Sequence, residues 1–424
     1  MYDRATALYT ADLTDWVKQA DPAAWKTLVK NQGDQAAAIL AGRVRQQLDA
    51  RGTVDVLRHG VDVLGLRSKL ELAQFRPALE TDELLARYAM NRSRVVRQVR
   101  YSTAGEHSLD IVLFLNGIPV ATAELKTDFT QNVRDAIDQY RLDRDPRPNG
   151  RATEPLLSFP GGAIVHFALS NSEVAMTTQL AGKQTRFLPF NRGTAEGGKG
   201  NPPNPAGHPT AYLWEQVWQR DSWLEILGRY VMAQRDNKKQ VISVIFPRYH
   251  QLDAVRKLRT AVAKRGAGGR YLIQHSAGSG KTNSIAWAAH QLADLHDPAT
   301  NKKVFATVLV VSDRTVIDQQ LQDAIFGFER TVGVVATITG DGGSKKQGVS
   351  RRAVGGQENR RLYDPDISTR AAESERTGSN RGKAVCSDRR RSPQQPDRRG
   401  GGQTEGGPVP GRTGRIGRRR GGQH

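Results

Sequence analysis

Two groups of residues in this chain suit phosphate chemistry. The first is Gly278-Ser279-Gly280-Lys281-Thr282, preceded by Tyr271-Leu272-Ile273-Gln274-His275-Ser276-Ala277. A Gly-rich turn ending in Gly-Lys-Thr can curl successive backbone N–H groups around a polyphosphate, and a following helix adds the positive end of its dipole. Lys281 would reach the β- and γ-phosphates of ATP, and the Thr282 hydroxyl would ligate Mg²⁺. His275 replaces the first glycine of G-x-x-x-x-G-K-[ST], so the pattern departs at one position, while the tight curl itself lies in Gly278-Ser279-Gly280. A Gly-rich surface turn that happens to hold a lysine has the same composition.

The second group is Asp110, Glu124 and Lys126. Asn116-Gly117 lies between two apolar runs and is a strong hairpin signal. A hairpin there sets the strand bearing Asp110 beside the strand that ends in Glu124, and Glu124 and Lys126, two apart, project from one face. Two carboxylates and an ammonium then converge. Asp110 and Glu124 can hold Mg²⁺, while Lys126 orients the attacking water and offsets charge on the transition state. This is the D-x(n)-E-x-K (PD-(D/E)xK) pattern of Mg²⁺-dependent nucleases. A solvent-facing Glu/Lys pair on an edge strand has the same spacing. The apolar flanks favour the cluster, since charges ending a buried hairpin need a reason. Gln139-Tyr140, on a helix-like stretch from Val133, can reach DNA or support the cluster; an ordinary amphipathic surface is the plain alternative.

The elements that must carry these groups follow from periodicity. Asp34 to Ala50 has helical spacing, with Ile39, Leu40, Val44 and Leu48 on one face, and Thr81 can cap another helix. Strands are expected at Val95–Tyr101, Leu109–Leu115, Pro119–Leu125, Ala163–Leu169 and Val174–Met176. Arg192–Pro209 is a Gly/Pro-rich loop, and Ala211–Val231 an amphipathic helix carrying Trp214, Trp218 and Trp223. A second unit then alternates strand Val241–Phe246, helix His250–Lys264, the strand and loop ending at Thr282, helix Asn283–Leu295 and strand Phe305–Ser312. Such alternation predicts a parallel sheet.

Composition sets the frame. The 424 residues suffice for two or three domains. The single Cys386 excludes intrachain disulfides, the start Met1-Tyr2-Asp3-Arg4 lacks a signal pattern, and no apolar run approaches a membrane span; the expectation is a cytoplasmic protein without membrane contact. The net charge of +20 invites a nucleic-acid reading, but residues 343–424 carry 17 Arg and 3 Lys against 8 acids, leaving only +8 for the first 342. That tail holds 16 Gly and one aromatic, Tyr363, and is expected to be disordered. Read as an out-of-frame translation of a GC-rich gene it needs no function; a natural basic tail that binds nucleic acid is the other reading.

Several stretches together resemble the N-terminal part of the motor/nuclease (R) subunit of type I restriction endonucleases. They are Gln98-Val99-Arg100-Tyr101, Ser108 to Pro119, Ala123-Glu124-Leu125-Lys126, Phe187 to Gly193, Phe246-Pro247-Arg248-Tyr249-His250-Gln251, His275–Thr282 and Val308 to Arg314. The resemblance covers roughly residues 1–342 in continuous order. It implies an α/β protein: a nuclease domain over 1–235, with a mixed sheet flanked by helices, part of a RecA-like helicase superfamily 2 lobe over 236–342, and the tail. It implies ATP and Mg²⁺ as cofactors, double-stranded DNA as substrate, and specificity and methyltransferase subunits as partners. By position, Asp110, Glu124 and Lys126 are the nuclease residues, Gln251 reads the adenine edge with Phe246 or Tyr249 stacking, and Gly278 to Thr282 form the phosphate loop. Asp313-Arg314 resembles the motif that couples ATP to DNA. The family's Gln-x-x-x-Tyr spacing is not met, and neither an Asp-Glu-Ala-His box nor a second motor lobe is found in the sequence. An inert remnant that at most binds DNA or nucleotide, or a different P-loop ATPase with Asp313 as its acid, remain the alternatives.

Overall fold

A computed structural model describes residues 2–312 apart from Leu79, Arg151, Ala152, Ala195, Glu196 and Pro298, together with Leu321, Gln322, Ala324, Ile325 and three short strand segments further on. Short strands β1 (Tyr2–Asp3) and β2 (Leu8–Tyr9) precede helices α1 (Thr10–Ala20), α2 (Pro22–Gln32), α3 (Ala36–Arg51), α4 (Thr53–His59) and α5 (Asp82–Ala89). The expected helical face of α3 is realised by Leu40, Val44 and Leu48, all buried, whereas Ile39 is exposed. Thr81 caps α5 as its sequence predicts, its hydroxyl accepting from Leu84 N–H at 3.3 Å. Thr81→Ala is expected to destabilise the chain by about 1 kcal/mol, read from urea unfolding.

The central element is a six-stranded mixed sheet of β3 (Ser93–Arg100), β4 (Ser108–Leu115), β5 (Ile118–Leu125), β6 (Val165–Leu169), β7 (Val174–Thr177) and β8 (Leu188–Pro189), side by side in that order, with α6 (Val133–Leu142) between β5 and β6. Only β5 and β6 run parallel. The crossover through α6 permits this, and the remaining neighbours are antiparallel. Alternation along β4 splits its side chains between two cores. Leu113 and Leu115 join the large cluster with α1–α4, while Val112 and Phe114 face Ala136 and Tyr140 of α6. The turn at Asn116-Gly117 is buried rather than solvent-facing. Both residues have positive φ (50° and 82°), and a Cβ on Gly117 would stand 2.3 Å from the Tyr9 carbonyl oxygen, so only glycine fits.

The chain after the sheet departs from expectation in three places. Ala211–Val231 is not one helix: a π-helical turn at Leu213–Val217 gives way, at Gln219 (ψ 138°), to α7 (Arg220–Glu225) and a second π turn, Ile226–Tyr230. Next, β10 (Val241–Ile245) pairs antiparallel with β9 (Met232–Arg235), a hairpin that straddles the expected boundary at 235/236. Helices α8 (Tyr249–Arg265) and α9 (Lys281–Ala293) and strand β11 (Thr307–Ser312) form where expected. Tyr271–His275 does not form a strand. It is irregular, with Leu272 91% exposed, because no described strand lies beside it to pair with. The expected parallel sheet is therefore not assembled among the described residues; β11 pairs, in parallel, with β14 (Lys383–Asp388), and β12 (Thr337–Ile338) with β13 (Arg361–Leu362). Apart from β13 and β14, the expected disordered tail at 343–424 lies outside the described residues, as do Asp313 and Arg314.

The stretches singled out at 187–193 and 246–251 meet in space. Phe190 packs edge-on to Tyr249, with centroids 6.0 Å apart, and lies 6.1 Å from Phe246; the Arg192 guanidinium stands 5.9 Å over the Tyr249 ring. Phe246 also touches Phe167 and Trp223. These rings weld β10 and α8 onto the end of the sheet.

Candidate functional site

The β4–β5 hairpin brings the two expected carboxylates together at the open ends of the strands. Ile111 pairs with Ala123, which places Asp110 beside Glu124. Asp110 is half-buried; its Oδ2 accepts from Leu125 N–H at 2.8 Å and its Oδ1 from Gln98 Nε2 at 2.9 Å. Glu124 is fully buried. Its Oε1 accepts from Arg144 Nε at 2.6 Å, while its Oε2 has no hydrogen-bond partner among the described residues. Lys126 lies just past the end of β5, its N–H held by the Leu169 carbonyl at 2.9 Å. Its ammonium has no partner among the described residues.

Sequence reasoning missed Arg144. It follows α6 by two residues, is 6% exposed, and donates to Ser108 O at 2.9 Å as well as to Glu124. Its guanidinium also stands 5.9 Å over the Tyr101 ring. A lone arginine among Asp143 and Asp145 carries no signal in the sequence, because only the fold turns it inward. Tyr140 is fully buried and does not reach outward. Its hydroxyl hydrogen-bonds Thr122 Oγ1 at 2.7 Å, and Thr122 in turn meets His166 Nδ1 at 2.8 Å. Thr122 is two residues before Glu124, so this network braces the strand directly beneath the carboxylate. Gln139 is half-buried, with its Oε1 unpaired among the described residues.

The electrostatics follow from burial. Loss of water pushes the Glu124 carboxyl up to about 8; the Arg144 charge opposes this and the Asp110 charge adds to it. Between its ordinary 4.5 and about 8, the folded chain keeps a proton here that the unfolded chain releases, so this group's contribution to stability falls as pH rises through that window. His166 acts at the other end. Burial pushes its imidazole down from 6.5 to about 3, so between these values only the unfolded chain is protonated and stability falls as pH drops. His166→Gln is expected to flatten that acid limb in urea unfolding followed from pH 7 to pH 3. A limb as steep as that of the wild type would contradict the assignment.

The phosphate loop is held by the start of α8. Gln251 Nε2 donates to Ser279 O at 3.2 Å and Gly280 O at 2.9 Å, and Gln251 Oε1 accepts from Arg248 N–H at 2.9 Å. The amide expected to read adenine thus clasps the loop backbone here. Phe246 and Tyr249, the expected stacking residues, are engaged in the aromatic cluster described above. Arg248 also reaches Gly278 O at 3.0 Å, and His250 Nε2 lies 3.1 Å from Ser279 O. Lys281 folds back over the loop, donating to His275 O at 2.7 Å and Ser276 O at 3.0 Å. Gly278 and Gly280 adopt left-handed φ (71° and 79°), and a Cβ on Gly280 would stand 2.5 Å from Gln251 Nε2. The Thr282 hydroxyl has no partner among the described residues.

Both sites fit the groups the sequence implies. Beside Asp110, the orphaned Glu124 Oε2 is a buried hard oxygen awaiting a proton or a divalent cation. At the loop, the buried Ser279 Oγ is likewise unpaired among the described residues, and a lysine and a hydroxyl flank the α9 N-terminus. No group of three or more His, Cys, Asp or Glu side chains that could hold a metal ion occurs among the described residues, so a cation at the first site would rest on two carboxylates, with water or substrate completing its shell.

Two family models match stretches of the chain that include these residues. Residues 26–185 match the family of the type I restriction enzyme R protein N terminus, a span that contains Asp110, Glu124, Lys126 and Arg144. Residues 245–362 match the family of the type III restriction enzyme res subunit, a span that contains Gln251 and the phosphate loop. No curated protein matches the chain. No helix among the described residues is long and apolar enough to cross a membrane.

Proposed function

The chain joins a type I restriction enzyme R protein N-terminal region to a restriction-enzyme res region, and from that premise we propose that it is a Mg²⁺-dependent DNA endonuclease subunit with a nucleotide-binding motor segment. The res-region match implies nucleotide binding. The observation that carries the nuclease reading is the pairing of Asp110 with a buried Glu124 whose second oxygen is unpaired, at the end of a hairpin that also delivers Lys126. Structural roles do not account for that arrangement, since a buried carboxylate lacking a full set of partners is costly.

In this reading Asp110 and Glu124 hold the cation, which supplies Lewis-acid stabilisation of charge building on the scissile phosphate. Lys126 orients the attacking water and offsets the same charge. Arg144 holds Glu124 in place, and Thr122, Tyr140 and His166 stiffen the strand behind it. The substrate is double-stranded DNA, whose recognition sequence is chosen by specificity and methyltransferase subunits of a type I restriction–modification complex.

The second site binds ATP through the Gly278–Thr282 backbone, Lys281 and, with Mg²⁺, Thr282. Gln251 joins adenine recognition to the loop: to meet a base it releases Ser279 and Gly280, so that nucleotide entry loosens the clasp seen here. Hydrolysis also needs an acidic group to place water, and the sequence offers no Asp-Glu-Ala-His box for it. The chain is therefore expected to bind ATP without turning it over, and its nicking to be independent of ATP. Lys281→Ala is expected to weaken ATP binding at least tenfold in calorimetry and leave Mg²⁺-dependent nicking unchanged. Nicking that vanished together with ATP binding would contradict two separable sites.

A further inference from the structure

We propose that Gln98 is a positioning residue for Asp110, and that β3 is strained to put it there. This rests on the nuclease reading and adds a residue to it. Gln98 lies in the middle of β3 with φ +51°, a conformation that L side chains seldom adopt and that strands do not use. On either side the β3–β4 register is regular, with Arg97 opposite Ile111 and Val99 opposite Leu109. Gln98 stands between those pairs, facing Asp110, and is the position at which the ladder pairing lapses.

Core packing gives no reason for this conformation. β3 is an edge strand of the sheet and Gln98 is exposed. Both ends of its amide, however, are engaged. The Ser108 hydroxyl donates to Oε1 at 3.1 Å, which turns the NH₂ group toward Asp110, and Nε2 donates to Asp110 Oδ1 at 2.9 Å. Leu125 N–H holds Oδ2 from the other strand. The carboxylate is thereby pinned at both oxygens in one orientation, with a second lone pair left on each for a ligand. A non-glycine residue in a sparsely populated region, at the one point where it touches a candidate metal-binding carboxylate, is how strained backbone at functional sites is distributed.

Two variants separate positioning from scaffolding. Gln98→Gly adopts the same φ without strain and lacks the amide; Gln98→Asn tolerates that φ and keeps a shortened amide. Gln98→Gly is expected to melt at or above the wild-type temperature, yet to bind Mn²⁺ at least tenfold more weakly in calorimetry and to nick DNA at least tenfold more slowly with unchanged DNA affinity. Gln98→Asn should lie between that variant and wild type. Mn²⁺ affinity of Gln98→Gly within twofold of wild type overturns the positioning role alone, as does a melting temperature that falls together with the affinity. A wild-type chain that binds no Mn²⁺ overturns the nuclease reading beneath it.

Discussion

Asp110→Asn is expected to lower Mg²⁺-dependent nicking of supercoiled DNA by about a thousandfold and to leave the melting temperature within a few degrees of wild type. The size follows from what the carboxylate is asked to do: a cation at such a site supplies several kcal/mol of transition-state stabilisation, and each 1.4 kcal/mol is about tenfold in rate. The small effect on folding follows from the site. Asp110 is half-buried, and its folded-state partners are two donors, Leu125 N–H and Gln98 Nε2. Asparagine keeps one oxygen to accept from one of them and loses the charge. Nicking that persists undiminished would remove Asp110 from the reaction.

Arg144→Met has its largest effect on the fold. The guanidinium is the ion-pair partner of a buried carboxyl, and removing one member of a charged buried pair typically costs 3–5 kcal/mol. Here the loss is expected below that range, about 2 kcal/mol at pH 7, because burial keeps the Glu124 carboxyl largely protonated there even beside Arg144, so that removing the guanidinium strands a neutral acid. It should grow as pH rises past 8, where the wild-type carboxyl ionises beside Arg144 while the variant, lacking that charge, holds its proton. The double variant Arg144→Met, Glu124→Leu should recover most of the stability, since two apolar side chains leave neither charge stranded. Urea unfolding of the four proteins of this cycle measures the coupling; additive losses would mean that the pair does not interact.

The parts of this molecule that local rules govern were readable in advance. The Asn116-Gly117 turn, the alternation on either side of it and the position of Asp110 against Glu124 depend on residues within a few positions of one another. The Thr81 cap, α3, α8 and α9 are local in the same sense. What escaped reading depends on neighbours distant in sequence. Arg144, Gln98 and His166 become part of the site only because the sheet and α6 bring them there. Tyr271–His275 has strand-forming residues, yet a strand exists only if another lies beside it, and none does among the described residues. The helix expected over Ala211–Val231 breaks at Gln219, whose ψ of 138° leaves the helical region, and nothing in the local sequence marks that position. Gln251 was expected to read adenine, and that its amide instead clasps the Ser279 and Gly280 carbonyls is a tertiary matter.

Whether the β4–β5 hairpin cuts DNA decides the nuclease reading. The most direct measurement is conversion of covalently closed plasmid to nicked circles by the purified chain, with Mg²⁺ or with EDTA, alongside Glu124→Ala. The prediction is slow, Mg²⁺-dependent, ATP-independent nicking by the wild type and none above background for the variant or in EDTA. Equal nicking by wild type and Glu124→Ala, or none by the wild type at any Mg²⁺ concentration, would contradict it.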